Sequence, residues 1–247
     1  MKPREVPIHR LVLWNIDLTL VDVARVTRDA YAEAFRQVTG RPLVRLPQTA
    51  GRLESEIFFE ALALNQVASP AAEDLLARFS HVLAATFAAR RDQLTERGQV
   101  LPGAAEAVAG VAGLPGVVQS LLTGTIKPNA VEKLRAFGLD GFFDVEIGGY
   151  GSQVYPKGAQ LLMIRSRAAE KYGARFDERS TVYIADSTRD VAAAAVGGAR
   201  CLAVASGRST ASELRAAGAD VVLGDLADTA EVTAAVDRLT LAGAPVS

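Results

Sequence analysis

Four groups of polar residues stand where apolar runs end. Asn15-Ile16-Asp17-Leu18-Thr19 follows the run at 10–14, and Thr123-Gly124-Thr125 follows the run at 117–122. A glycine-rich loop at 148–151 leads to Lys157, and Asp186-Ser187-Thr188-Arg189-Asp190 follows the run at 181–185. A hydroxyl, a lysine and several carboxyl-type groups are the parts phosphoryl transfer needs. Oxygen ligands hold a metal that neutralises phosphate charge. A hydroxyl and backbone N–H groups at a loop-to-helix turn grip non-bridging oxygens. A lysine faces the charge that develops on the transferred group. A carboxyl two residues beyond a nucleophile serves as acid to the leaving group, then as base for water.

These residues must be brought to one rim, and the rest of the chain predicts how. Strands are expected at 10–14, 117–122, 143–147, 181–185, 201–204 and 220–223, with helices at 104–111, 129–137, 159–172, 188–196 and 210–217. Regular alternation from about residue 100 onward predicts a Rossmann-like α/β fold: a doubly wound parallel sheet with helices on both faces. Ligands then sit at the carboxyl ends of the strands. The stretch at 23–97 differs. Tyr31, Ala34, Phe35 and Val38 fall at helical spacing, as do Ile57, Phe58, Ala61 and Leu62, then Leu75, Leu76, Phe79, Leu83 and Phe87. An all-helical insertion is expected there, between a core made of 1–22 and 98–247, with Pro102-Gly103 marking the return.

The ordered set resembles the haloacid dehalogenase superfamily of aspartyl-phosphate-forming phosphatases. The matching segments are WNIDLTL around residue 15, LLTG ending at Gly124, Lys157 before a helix, and YIADSTRD with Asp186 and Asp190. The helical insertion resembles that superfamily's C1-type cap. The resemblance implies magnesium as cofactor, with Asn15, Asp17, Asp186 and Asp190 at the metal. It implies Asp17 as general acid/base and Lys157 as the orienting cation. Thr123 and the Gly124 amide would bind phosphate, with Thr19, Thr125 and Arg52 as further substrate contacts. Lys127 is the alternative to Lys157, which is preceded by Pro156 and followed by Gly158, whereas the family often has proline after its lysine.

Asn15 departs from that pattern, since the family has its nucleophilic aspartate there. A neutral carboxamide lacks the charged oxygen that attacks phosphorus, although its oxygen still ligates a hard cation. The sequence therefore predicts a small-phosphomonoester hydrolase site that binds and turns over poorly. The intact remainder favours a substitution made in a complete site over a natural non-catalytic relative or a merely structural strand-end asparagine. A phosphotransferase or mutase and a non-catalytic phosphometabolite-binding protein are the alternatives.

Composition sets outer bounds. The 247 residues are 49% hydrophobic with net charge −1 and no long basic run, which predicts a substantial core and no nucleic-acid partner. A lone Cys201 excludes an intramolecular disulfide. No apolar run reaches membrane-spanning length and residues 1–9 lack a leader's apolar centre, so a cytoplasmic monomer or homodimer is expected. His9 and His81 are too separated for a histidine metal site, Trp14 is expected to pack between sheet and helices, and the tail from Gly243 is expected to fray.

Overall fold

A computed structural model describes residues 9–67, 72–152 and 155–241. The expected leaderless start before residue 9 and the tail from Gly243 lie outside these residues. The chain opens with β1 (Arg10–Trp14), then β2 (Val21–Asp22) and four helices: α1 (Ala24–Thr39), α2 (Glu54–Leu64), α3 (Ala72–Ala88) and α4 (Gln93–Arg97). It returns through β3 (Gln99–Val100) to α5 (Ala104–Ala112), β4 (Val117–Leu121), α6 (Lys127–Ala136) and α7 (Lys157–Tyr172). The remainder is β5 (Thr181–Ala185), α8 (Thr188–Gly197), β6 (Arg200–Val204), α9 (Ala211–Ala216), β7 (Val221–Leu223) and α10 (Thr229–Leu241).

The main sheet is parallel throughout, in the order β4-β1-β5-β6-β7. Its strands read as unbroken apolar runs because both faces are covered. Val12, Trp14, Val182 and Ile184 face one core, and Leu11, Leu13, Tyr183 and Ala185 face the other. The Trp14 indole packs as expected, its N–H donating to Gln119 Oε1 at 2.8 Å. Register then does the positioning. Trp14 pairs with both Leu121 and Ile184, so the three strands end level. Asn15, Thr123 and Asp186 therefore emerge on one rim.

The expected strand at 143–147 is absent. A short 3₁₀ turn spans Asp140–Phe142, and an isolated bridge joins Leu122 to Gly149. Phe143 and Ile147 are buried nonetheless, and the segment meets β4 through Asp144 N–H donating to Gln119 O at 2.9 Å. Two elements were not expected from the sequence. One is α10, which packs against α5. The other is the antiparallel β2–β3 ribbon, pairing Val21 with Val100 and Asp22 with Gln99. It ties together the points where the chain leaves for α1–α4 and comes back.

Within the helical stretch, aromatic contacts fasten three helices. The rings of Phe58 and Phe79 stack with centroids 4.4 Å apart, and Tyr31 meets Phe79 edge-on at 4.8 Å. Such pairs add about 0.5–1.5 kcal/mol each beyond burial. The N-terminus of α2 sits directly on the core loops: Glu54 N–H donates to Gly124 O at 3.0 Å and Ser55 N–H to Gly151 O at 3.3 Å. Gly124 is required for this approach, because a Cβ there would collide with the Arg52 carbonyl oxygen.

Candidate active site

A tight turn after β1 presents the first group. The N–H groups of Thr19, Leu20 and Val21 all donate to Ile16 O, and Leu18 sits in the left-handed region at φ 59°. That conformation costs a non-glycine residue about 1–2 kcal/mol. It is held by Leu18 N–H to Val21 O at 2.8 Å and by Ser206 Oγ donating to Leu18 O at 2.7 Å. The turn points Asn15 and Asp17 to the same side.

The Asn15 amide is the hub. Its Nδ2 donates to Asp17 O at 2.9 Å, to Asp186 Oδ1 at 2.9 Å, and approaches Thr19 Oγ1 at 3.2 Å. Thr19 donates its own proton to Asp186 Oδ1 at 2.9 Å, so all three neighbours are acceptors toward the amide. That fixes nitrogen, not oxygen, at this point. Burial raises the Asp186 carboxyl to about 6, with Asp190 adding repulsion, while hydrogen bonds from Thr19 and Asn15 oppose the rise.

Asp17 belongs to a second network. Both its oxygens lie 2.7 Å from Lys133 Nζ, and Thr125 Oγ1 donates to Oδ2 at 2.8 Å. Lys133 is fully buried, whereas the Asp17 side chain is 38% exposed. Glu54 lies close enough to feel both charges. Its carboxyl is pushed up to about 8, first by burial and then by Asp17, against the attraction of Lys133. Glu54 Oε1 and the Tyr31 hydroxyl are buried without hydrogen-bond partners.

Lys157 forms the third. Its Nζ donates to Asp190 Oδ1 at 2.6 Å, and Asp190 also accepts from Tyr183 OH at 2.9 Å and Ser187 Oγ at 2.5 Å. Asp190 is the anchor that aims Lys157.

One cavity of about 320 Å³ collects Asn15, Asp17, Thr123, Gly124, Thr125, Lys157, Asp186 and Arg52. Its size suits a small metabolite. Lys127, the alternative lysine, instead pairs with Glu146 at 2.8 Å and does not line it. Three expectations need restating. Asp190 does not line the cavity, and both its oxygens are engaged. Thr19 is fully buried and ties Asp186 to the turn rather than facing the cavity. The Arg52 guanidinium is turned onto its own segment, pairing with Glu60 at 2.5 Å and donating to Gln48 O and Glu56 O. His9 and His81 are not at the cavity, and Cys201 is buried with its thiol pushed well up by that burial.

Lys133 and Glu54 were missed, although the sequence marked both. Ile126, Ala130, Leu134 and Phe137 form the inward stripe of α6, and position 133 falls on it. Glu54 likewise precedes Ile57 and Phe58 by three and four residues on the stripe of α2. A charged residue on an apolar stripe must be paired or neutralised.

The sequence model of haloacid dehalogenase-like hydrolases matches residues 12–195. The chain belongs to the haloacid dehalogenase-like hydrolase family. It is 28% identical over 246 residues to "Probable phosphatase IndB" of Dickeya dadantii (strain 3937), covering 96% of this chain and 98% of that protein. Among solved structures it resembles a predicted phosphoglycolate phosphatase from Haemophilus somnus 129pt, with TM-score 0.62, 19% identity and coverage of 91% and 98%. It also resembles CbbY from Rhodobacter sphaeroides in complex with phosphate, with TM-score 0.58, 22% identity and coverage of 90% and 96%.

Phosphatases of this family generally use magnesium. Two suitable oxygens, Asp17 O and Asp186 Oδ1, converge, but the Asn15 amide nitrogen stands between them at 2.9 Å from each. Among the described residues no group of three or more His, Cys, Asp or Glu forms a metal cluster. In this orientation the Asn15 amide nitrogen occupies the point between the two oxygens, and the site carries one carboxylate fewer than a site with aspartate at position 15.

Proposed function

We propose that this family member is a phosphatase-type site that binds small phosphomonoesters and hydrolyses them poorly because position 15 is neutral. The observation that carries this reading is the Asn15 amide bonded at once to Asp17 and Asp186, inside a cavity that also collects Thr123, Gly124 and Lys157. Thr123 Oγ1 accepts from Thr125 N–H at 3.2 Å, which leaves its own proton for a phosphate oxygen. The Gly124 N–H and Lys157 supply further donors, and Asp17 would face the ester oxygen of the leaving group. The helical stretch 23–97 acts as a cap that closes on this rim through α2 and excludes bulk water. The phosphatase named among the relatives and the phosphate bound in one structural neighbour support the substrate class. Among the described residues no helix is long and apolar enough to cross a membrane.

Magnesium belongs to the form with a carboxylate at position 15. With aspartate there, its carboxylate, the Asp186 carboxylate and the Asp17 carbonyl would be the groups to hold it. A metal bound there would neutralise phosphate charge.

Two measurements test the reading. Inorganic phosphate should bind the unmodified protein in a calorimetric titration. Asn15→Asp should hydrolyse members of a phosphomonoester panel only with magnesium. Absence of both phosphate binding and restored hydrolysis would sink the proposal.

A further inference from the structure

The wall of the cavity opposite the phosphate-gripping loops is the first two turns of α1. Ala24, Arg25, Thr27, Arg28 and Tyr31 all line it. Their spacing places them on one helical face. Three observations on this face bear on a ligand. Arg25 and Arg28 are neighbours at i, i+3, a like-charge arrangement that works against the helix. Both are exposed, and neither has an ion-pair or hydrogen-bond partner among the described residues. The first turn of α1 carries no acidic residue, and its N-cap Val23 makes no side-chain cap. Asp22 Oδ1 accepts from the Ala24 N–H alone. Finally, the Tyr31 hydroxyl is buried, with Tyr31 only 3% exposed, and has no partner. Thr27 Oγ1 is equally unpartnered.

Together these features describe an incomplete anion site. Two guanidiniums and the positive end of a sixteen-residue helix border one space, with Thr27 and Tyr31, whose hydroxyls are buried and unpartnered, in its wall. Arg208 adds a third guanidinium from the loop after β6. A buried hydroxyl without a partner is costly, so a ligand group that bonds it is favoured. Arginine forks match carboxylate and phosphate oxygens in pairs.

We propose that the α1 face, through Arg25 and Arg28, is a second anion subsite, so that the favoured ligand carries another anionic group besides its phosphate. A short phosphorylated hydroxy acid has that chemistry, with phosphate on Thr123, Gly124 and Lys157 and carboxylate on α1. This deepens the phosphomonoester reading and rests on it.

The test uses a matched pair of ligands on the unmodified protein. 3-Phosphoglycerate and glycerol 3-phosphate differ in one end, carboxylate against hydroxymethyl. Calorimetric titration at low salt should show at least tenfold tighter binding of 3-phosphoglycerate. The double variant Arg25→Gln/Arg28→Gln should bring that ratio below threefold, and Tyr31→Phe should lower it as well. Inorganic phosphate serves as the internal reference. Equal affinity of the two esters for the unmodified protein would overturn the proposal. So would an arginine double variant that keeps the full ratio, or one that weakens inorganic phosphate as much as 3-phosphoglycerate, which would reveal a general field at the mouth. If phosphate binds without discrimination, only the subsite falls. If neither phosphate nor either ester binds, the phosphomonoester reading falls with it.

Discussion

Lys133 Nζ lies 2.7 Å from both carboxylate oxygens of Asp17, yet the two side chains meet water very differently. The lysine is fully buried and the aspartate side chain is 38% exposed. Removing either partner leaves the other's charge behind, and that residue's access to water sets the penalty. Asp17→Asn strands a buried ammonium, which should destabilise by about 3–5 kcal/mol. Lys133→Met strands a carboxylate that water still reaches, and the loss should be smaller, about 1–2 kcal/mol once solvent screening is allowed for. The double variant should recover much of the Asp17→Asn loss. Urea unfolding of the three proteins checks the order. Equal losses from the two single variants would contradict it.

The same network makes stability depend on pH through Glu54. Its folded carboxyl titrates at about 8, against 4.5 for an ordinary glutamate. The folded state therefore holds a proton that the unfolded state has released. Stability from this group is fully present below about pH 4.5 and is lost as pH rises toward 8. The slope in that window reaches at most about 1.4 kcal/mol per pH unit. Glu54→Gln, which needs no proton, should flatten the decline and make the protein more stable than the parent at pH 8–9. Denaturation midpoints measured across this range decide the matter. An unchanged slope in Glu54→Gln would show that Glu54 is not the titrating group.

Most of the sheet was legible because its strands are apolar on both faces and end in polar residues. The run at 10–14 and that at 181–185 match β1 and β5 residue for residue. The run at 143–147 misled because burial of Phe143 and Ile147 is achieved without strand pairing, a distinction periodicity does not make for short apolar runs. The two-residue β2 and β3 strands are too short to leave a pattern. At the site, Thr123 was legible from its place after a strand, and Lys157 from its place opening a helix after a glycine-rich loop, although the strand expected before that loop is absent. Asp190 was legible as important and assigned to the metal, because a sequence does not show that Lys157, Tyr183 and Ser187 already fill its acceptor positions. Lys133 acts on Asp17 from 116 positions away, a pairing only the folded chain creates.

The seat of α2 on the core depends on Gly124. Its missing Cβ leaves room for the Arg52 carbonyl, and its own carbonyl accepts from the Glu54 N–H at 3.0 Å. Gly124→Ala should push the 52–54 segment outward and break that hydrogen bond. The expected cost is about 1–3 kcal/mol, the range for overpacking a close contact. Since Gly124 also offers its N–H to the cavity, phosphate affinity should fall together with stability. Calorimetry beside urea unfolding measures both. A variant of parental stability and affinity would show that the α2 seat tolerates a methyl group.

Position 15 gives the sharpest contrast. In the present chain the Asn15 Nδ2 satisfies Asp186 Oδ1 and Asp17 O at 2.9 Å each. Asn15→Asp replaces that donor with a carboxylate oxygen facing two acceptors, one of them charged. Without metal, repulsion should lower stability by at least about 1 kcal/mol, which for a chain of this size is a midpoint about 2–4 °C lower. Magnesium should reverse the loss, since a cation between the oxygens replaces the missing amide donor. The unmodified protein should respond little to magnesium, because its amide already fills that point. Hydrolysis should rise by about 10³-fold or more on restoring the nucleophile, the order of loss seen when one is removed. Thermal unfolding of both proteins with and without magnesium is the direct check, and it does not require a known substrate. A metal-free Asn15→Asp protein as stable as the parent, or an equal magnesium response in the two, would mean that the amide is not standing in for a cation.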